Sequence, residues 1–486
     1  MTSSESVKTT KEAPPDRRLT GTIGAVGLIL TVLAFNGPLT TVVGFVPVVI
    51  GAGNGLGAPV IYLIVGAILL FFAVGFTTMG RKLPNPGAFY AYITAGLGRP
   101  LGLGACYLAV LSYVVIFLST ATYFGLSMGA MVHQTLNGPD LPWWVYSFGM
   151  VAIIAVLGYT KIDVSVRVVG IIMAGEIVLI LIFYVAVIAH GGARGLHADS
   201  FKPSSITSGS IGVALLFGVQ CFSGFEATAI FREETRDPGR TIRRATYGSI
   251  LVLGLLYSVG AWVIIQATGA SEVVAATAAD PSGTVYASLK TFVGGFAVDV
   301  VTITLCTSIL AANVSTHNVI SRYLYSLGKD RILNHRVAAV HPRLNSPYIA
   351  SLCVTAVSLA GLVALVIFHS DPIKTYAALA GIGGYALILL LLLTSIAVPA
   401  YLRRKDDGHG VTLFQSTIAP VFAVAGLTIV AALATTNIQL LIGGSDNLTR
   451  GVLAFVYLVG IAGIVHALVL RRRRSPAYAH IGRQND

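Results

Sequence analysis

Charge is the scarcest feature of this 486-residue chain. Lys, Arg, Asp and Glu together make up 11% of it, apolar and aromatic residues make up 55%, and mean hydropathy is +0.80. That balance excludes a water-soluble multi-domain protein and leaves a polytopic membrane protein. Cysteine is equally sparse. Cys106, Cys221, Cys306 and Cys353 all fall inside apolar runs, with neither a disulfide framework nor zinc-ligand spacing, and they read as small packing residues. HExxH and GxxxxGK[ST] are absent, so zinc-peptidase and P-loop chemistry are not expected, nor is a metal or cofactor. Energy must then come from a gradient.

Runs of about 20 apolar residues, enough to cross about 30 Å of hydrocarbon, occur twelve times: 23–50, 57–79, 101–131, 142–159, 164–189, 209–231, 246–268, 292–316, 348–369, 374–401, 412–436 and 450–470. The fourth is short and the start of the eighth is indistinct. The net charge of +12 follows from how the cations are placed. Of 32 Lys and Arg, 27 fall in the leader, the tail and alternate loops, against five on the other side: Arg194, Lys202, Lys290, Lys374 and Arg450. The positive-inside rule then puts both termini in the cytoplasm. The run Arg471-Arg472-Arg473-Arg474 fits a stop for the last span, touching anionic lipid, better than a nucleic-acid patch. The leader has no signal-peptide core and is expected to be a disordered cytoplasmic tail over residues 1–20.

Two of the twelve segments are interrupted at their midpoints, the first by Asn36-Gly37-Pro38 and the sixth by Ser223-Gly224-Phe225-Glu226. Inside a bilayer a broken helix is tolerated only where it lines a cavity or is buried in protein. Broken helices in corresponding positions of two halves mark the substrate site of a secondary transporter. The expected fold is therefore all-α: twelve transmembrane helices, with a five-plus-five inverted repeat opening on broken helices 1 and 6. Its parts are a transport core over 21–401, two further spans over 402–470 and a basic cytoplasmic tail over 471–486. Pro38 suits the first position of a restarting helix. The amides of Leu39, Thr40 and Thr41 would then offer a positive end to a carboxylate, and carbonyls near Ala34 and Phe35 would suit an ammonium. A plain proline kink is the alternative. In the second break Gly224 permits a non-helical backbone, and Phe217, Phe222 and Phe225 could cover a bound side chain or simply pack.

The stretch from Phe222, FSGFEATAIFREETRDPGRTIRRA, resembles the sixth-helix signature of the amino acid–polyamine–organocation superfamily of permeases. PNPGAFYAY (Pro84–Tyr92) and SRYLYSLGKDRIL (Ser321–Leu333) are similar to its loops after the second and eighth helices. The resemblance covers nearly the whole chain. It implies a permease, not an enzyme, moving an amino acid or related amine on a proton or sodium gradient or by exchange. It also implies a substrate site at the two breaks: Phe35, Asn36, Gly37, Pro38, Leu39, Thr40 and Thr41, with Gln220, Cys221, Phe222, Ser223, Gly224 and Phe225. The chain departs from the family in two places. NGPLTT stands where a Gly-small-Gly run is common, and Gln220 stands where many members carry an aromatic lid.

Ionisable groups at the bilayer centre cost several kcal/mol on insertion scales and are functional candidates by default. Glu176 lies about 18 Å along the fifth segment at 1.5 Å per residue, at a place comparable to a lysine of related proton-coupled permeases. It reads either as a proton-coupling acid or as a neutral acid bonded to a neighbouring helix. Glu226 reads first as a brace for the second break and second as a proton carrier. Asp299 is expected near the outer surface. Ser315 and Thr316 resemble sodium ligands of this fold, or else bond their own helix. His317 is expected at the membrane boundary. The partners implied are a small amino acid or amine, a coupling ion (proton before sodium) and the bilayer. An amine or polyamine permease, a receptor-like protein and a membrane enzyme remain as alternatives.

Overall fold

A computed structural model describes residues 23–83, 88–160, 166–226, 228–229, 235–341, 346–404, 410–442 and 446–482. The expected leader tail, and parts of the two motifs at Pro84–Tyr92 and Phe222–Ala245, lie outside these. Among the described residues there is no β-strand beyond a single bridge between Ile23 and Thr235. The long helices in chain order are α1 (Ala25–Asn36), α2 (Ala58–Lys82), α3 (Arg99–Ala130), α4 (Trp143–Thr160), α5 (Val166–Ala189), α6 (Ile211–Gln220), α7 (Pro238–Thr268), α8 (Gly295–Lys329), α9 (Tyr348–Ile367), α10 (Pro372–Arg404), α11 (Ala419–Asn437) and α12 (Asp446–Arg472).

Nine helical stretches among the described residues are long and apolar enough to cross a membrane. Three apolar helices fall below that length: α1, α4 and α6. Two of these are the first halves of the interrupted segments, and α4 is the segment already noted as short. The chain after Pro38 stays helical as far as a sharp kink at Gly53 (ψ -124°) and Gly55 (φ 61°), and α2 begins beyond it at Ala58, so the 45 residues Pro38–Lys82 hold two helices joined by a tight turn.

Exposed and inward faces separate cleanly along α5. In α5, Ile171, Val178 and Val185 are exposed and lie seven residues apart, while Met173, Glu176, Ile180, Phe183 and Val187 are buried on the opposite side. With 3.6 residues per turn this turns Glu176 inward. Close crossings rest on small residues. A Cβ added to Gly463 of α12 would come within 2.7 Å of Gly104 Cα in α3, and one added to Gly383 of α10 within 3.1 Å of the Ser112 carbonyl.

Helix α8 has 35 residues, about 52 Å at 1.5 Å per residue, and runs 13 residues past the expected end at 316. Ser315, Thr316 and His317 therefore lie well inside it, and His317 is buried at 1% exposure instead of sitting at a boundary. The expected loops after α2 and α7 also carry helices, at Ala88–Leu97, Val273–Ala279 and Pro281–Phe292. The run Gly125-Leu126-Ser127-Met128-Gly129 matches GxSxG, yet it lies within continuous α3 and lacks the strand-to-helix turn a nucleophile elbow needs.

Candidate functional site at the two helix breaks

The first break is a helix end followed at once by a helix start. Gly37 takes a left-handed conformation (φ 62°) and its amide bonds the Leu33 carbonyl, closing α1. Pro38 opens the continuation, which passes through two wide π-type turns at Thr41–Phe45 and Val49–Asn54; such turns are frequent at functional sites. The second break follows α6. Cys221 to Gly224 leave the helical path, Gly224 has φ +104°, and a Cβ there would stand 2.2 Å from Phe35 Cδ1. Glycine is thus required both for the backbone and to seat the Phe35 ring from the other break.

Asn36 ties the breaks together. Its Nδ2 donates to the carbonyls of Cys221 (2.6 Å) and Ser223 (3.0 Å), and its Oδ1 accepts from the Tyr257 hydroxyl of α7 and from Thr41 Oγ1 at 3.5 Å. Glu226 holds the second break from below. Its Oε1 accepts from the Tyr113 hydroxyl of α3 at 2.5 Å and its Oε2 accepts the Gly224 amide at 2.9 Å.

Two of the three amides after Pro38 are already engaged. Leu39 N–H points to Glu176 Oε2 at 3.4 Å, and Thr41 N–H bonds the Gly37 carbonyl at 2.9 Å, so the expectation of free amides is corrected at Leu39 and Thr41. The same Glu176 oxygen accepts from Ser308 Oγ of α8 at 2.9 Å, and Thr40 Oγ1 donates to Ser308 Oγ at 3.3 Å. Glu176 Oε1 is buried with no hydrogen-bond partner. Among the described residues neither Glu176 nor Glu226 makes an ion pair.

A cavity of about 30 Å³, room for little more than water, lies between the breaks, α3 and α8. Of the sequence-derived residues, Phe35, Asn36, Thr40, Thr41, Gln220, Cys221, Ser223 and Thr316 line it. Gln220 Oε1 is buried there without a partner. Gly37, Pro38, Leu39 and Gly224 belong to the breaks beside it but are not among its lining residues. Phe222 and Phe225 turn away, packing on Tyr257 (6.2 Å between centroids) and Phe72 (5.7 Å), so they do not cover a ligand here. Ser315 lies off the cavity, and both it and Thr316 donate to their own helix, at the Ala311 and Ala312 carbonyls. Asp299, expected near the outer surface, is half-buried and accepts from Thr135 Oγ1 at 3.2 Å.

Sequence reasoning missed Thr120, Ser308, Tyr257 and Phe45. The first three are lone hydroxyls in apolar helices, and only their inward facing distinguishes them. Phe45 joins Tyr123 of α3 and Tyr376 of α10 in a three-ring plug on the far side of the cavity from α1, with centroids 5.0–6.2 Å apart. Tyr376 hydroxyl donates to the Gly44 carbonyl at 3.1 Å.

Membrane-length apolar helices packed around two interrupted ones, with a small polar cavity at the breaks, define a multi-pass membrane protein built as secondary transporters are. Residues 27–464 match the family model described as amino acid permease, and the chain belongs to that family. It is similar to the low-affinity putrescine importer PlaP of Escherichia coli, 23% identical over 347 residues, covering 70% of this chain and 74% of the relative. It is also similar to the branched-chain amino acid permease BcaP of Bacillus subtilis (23% over 369 residues; 73% and 75% covered) and the lysine-specific permease LysP of Lactococcus lactis (25% over 333; 64% and 63%). The superfamily expected from the motifs is thereby shown, and the protein is a transporter rather than an enzyme.

Proposed function

We propose that this chain is a proton-coupled permease that carries an amino acid across the cytoplasmic membrane by alternating access. The observation that carries this reading is the Glu176 carboxylate on the Leu39 amide at the start of the half-helix. A substrate carboxylate would seek that same positive end. Two carboxylates cannot share it cheaply, so binding of the substrate and neutralisation of Glu176 by a proton belong together, which is the linkage a symporter needs. Gln220 and Thr41 then contact the substrate's polar atoms, and Phe35 sits against it. Glu226, bonded to Tyr113 and Gly224, serves as the brace.

The architecture behind this reading is twelve spans: the nine long helices, α4 and the two interrupted segments. Segments one to five and six to ten form the inverted repeat that rocks about the breaks. Both termini lie in the cytoplasm, by the cation asymmetry of the loops.

A second reading, an amine or polyamine substrate, is favoured by Glu176 Oε1, a buried acceptor with no partner that could take an ammonium. A relative named as a putrescine importer supports it as well. The deciding experiment is uptake into proteoliposomes under an imposed pH gradient, with each amino acid paired against its decarboxylated amine. Gradient-driven uptake of amino acids supports the first reading and of amines alone the second. Binding without uptake of any compound refutes transport and leaves a receptor-like protein.

A further inference from the structure

Beyond the aromatic plug lies a second, larger cavity of about 340 Å³, bounded by α3, the helix Pro281–Phe292, and the starts of α8 and α10. Tyr123 and Tyr376 form its floor and belong to the plug, so it is separated from the central cavity by their rings. Asp280 and Ser282 stand on one wall and Thr135 on another. Among the described residues no Lys, Arg or His lines it. Asp280 is exposed; its Oδ1 caps the helix Pro281–Phe292 by accepting the Gly283 amide at 2.9 Å. Asp299 adds a second carboxylate behind Thr135. Lys374, beside the rim, lies 4.0 Å from Asp371 in an ion pair of its own.

A concave, one-signed surface focuses field lines and concentrates counter-ions. Tyrosine faces beside a carboxylate attract an organic cation from two sides. We propose that this vestibule is a binding site for small organic ammonium ions, held by Asp280 over the rings of Tyr123 and Tyr376 before the plug opens. It rests on the permease reading only in placing the vestibule outside the cell, since it lies on the side opposite the N-terminus. Asp280 selects for positive charge at entry, and the central site does the finer selection.

The test needs no transport. In the full-length protein, Ser282→Cys places a thiol in the vestibule; native Cys106, Cys221 and Cys306 are buried, and Cys353→Ser removes the half-buried one. Modification by a cationic thiosulfonate is compared with an anionic one, each normalised to a free thiol. One unit charge about 4 Å from a carboxylate in water shifts each reagent about fivefold, in opposite directions, for a cation-over-anion bias of up to about 25-fold, and millimolar n-butylamine, but not butanoate, should slow the cationic reagent. Asp280→Asn and Asp280→Ser both retain a capping oxygen and should abolish bias and protection together. Equal rates for the two reagents, bias without protection, or protection that survives Asp280→Asn would each overturn the proposal. If no substrate is transported while butylamine still protects, the vestibule site stands and the permease reading falls.

Discussion

Gly224→Ala tests the contact on which the two breaks close. The new Cβ would lie 2.2 Å from Phe35 Cδ1, 2.9 Å from Cγ and 3.1 Å from Cε1. The Phe35 ring cannot retreat freely, because it is buried and packs edge-on against Tyr113 at 6.2 Å. Overpacking of this kind costs about 1–3 kcal/mol. The backbone at φ +104° adds about 1–3 kcal/mol for any residue with a side chain. The expected loss is about 2–6 kcal/mol, seen as a lower thermal unfolding midpoint in detergent and as loss of uptake. Gly149→Ala is the control, since a Cβ there meets nothing within 4 Å. Adding Phe35→Ala to Gly224→Ala should show a favourable coupling of about 1–3 kcal/mol in a double-mutant cycle, the overlap component alone. A Gly224→Ala protein with the parent's midpoint and uptake would refute the seating of Phe35 on the second break.

Further outcomes follow from the same geometry. Asn36→Ala removes both bonds to the Cys221 and Ser223 carbonyls and takes away the Tyr257 hydroxyl's Asn36 acceptor, for a loss of about 2–3 kcal/mol; Tyr257→Phe alone should cost about 1 kcal/mol, and thermal unfolding of the pair checks the order. Glu176→Gln keeps the shape and removes the ionisable group, so gradient-driven uptake should collapse while counterflow exchange persists; equal loss of both would point to a structural role. Glu226→Gln places an amide against two donors, the Tyr113 hydroxyl and the Gly224 amide, and should destabilise by about 1–3 kcal/mol more than Tyr113→Phe. Retained stability in that variant would remove Glu226 from the bracing of the break.

Composition and residue order suffice to give the solvent of this chain and where its helices fail. Low charge and long apolar runs leave the backbone no option but helices that satisfy their own hydrogen bonds. Gly37-Pro38 and Gly224 mark where those helices stop, because proline lacks an amide hydrogen and the glycines lack a Cβ. Motifs sufficed for the family, since they lie in contiguous stretches. What each break binds was decided only by the tertiary structure. Glu176 was visible as a costly charge, but its seat on the Leu39 amide joins residues 137 positions apart, and no local pattern encodes that distance. Asn36 was placed at the first break and in the substrate site by sequence, but its role as the clasp between the breaks joins it to Cys221, 185 positions away. Phe222 and Phe225 could have covered a bound side chain or simply packed, and the structure has them packing, on Tyr257 and Phe72 inside the protein. The plug of Phe45, Tyr123 and Tyr376 draws one ring from each of three separate segments; side-chain type is written in the chain, but convergence exists only after packing.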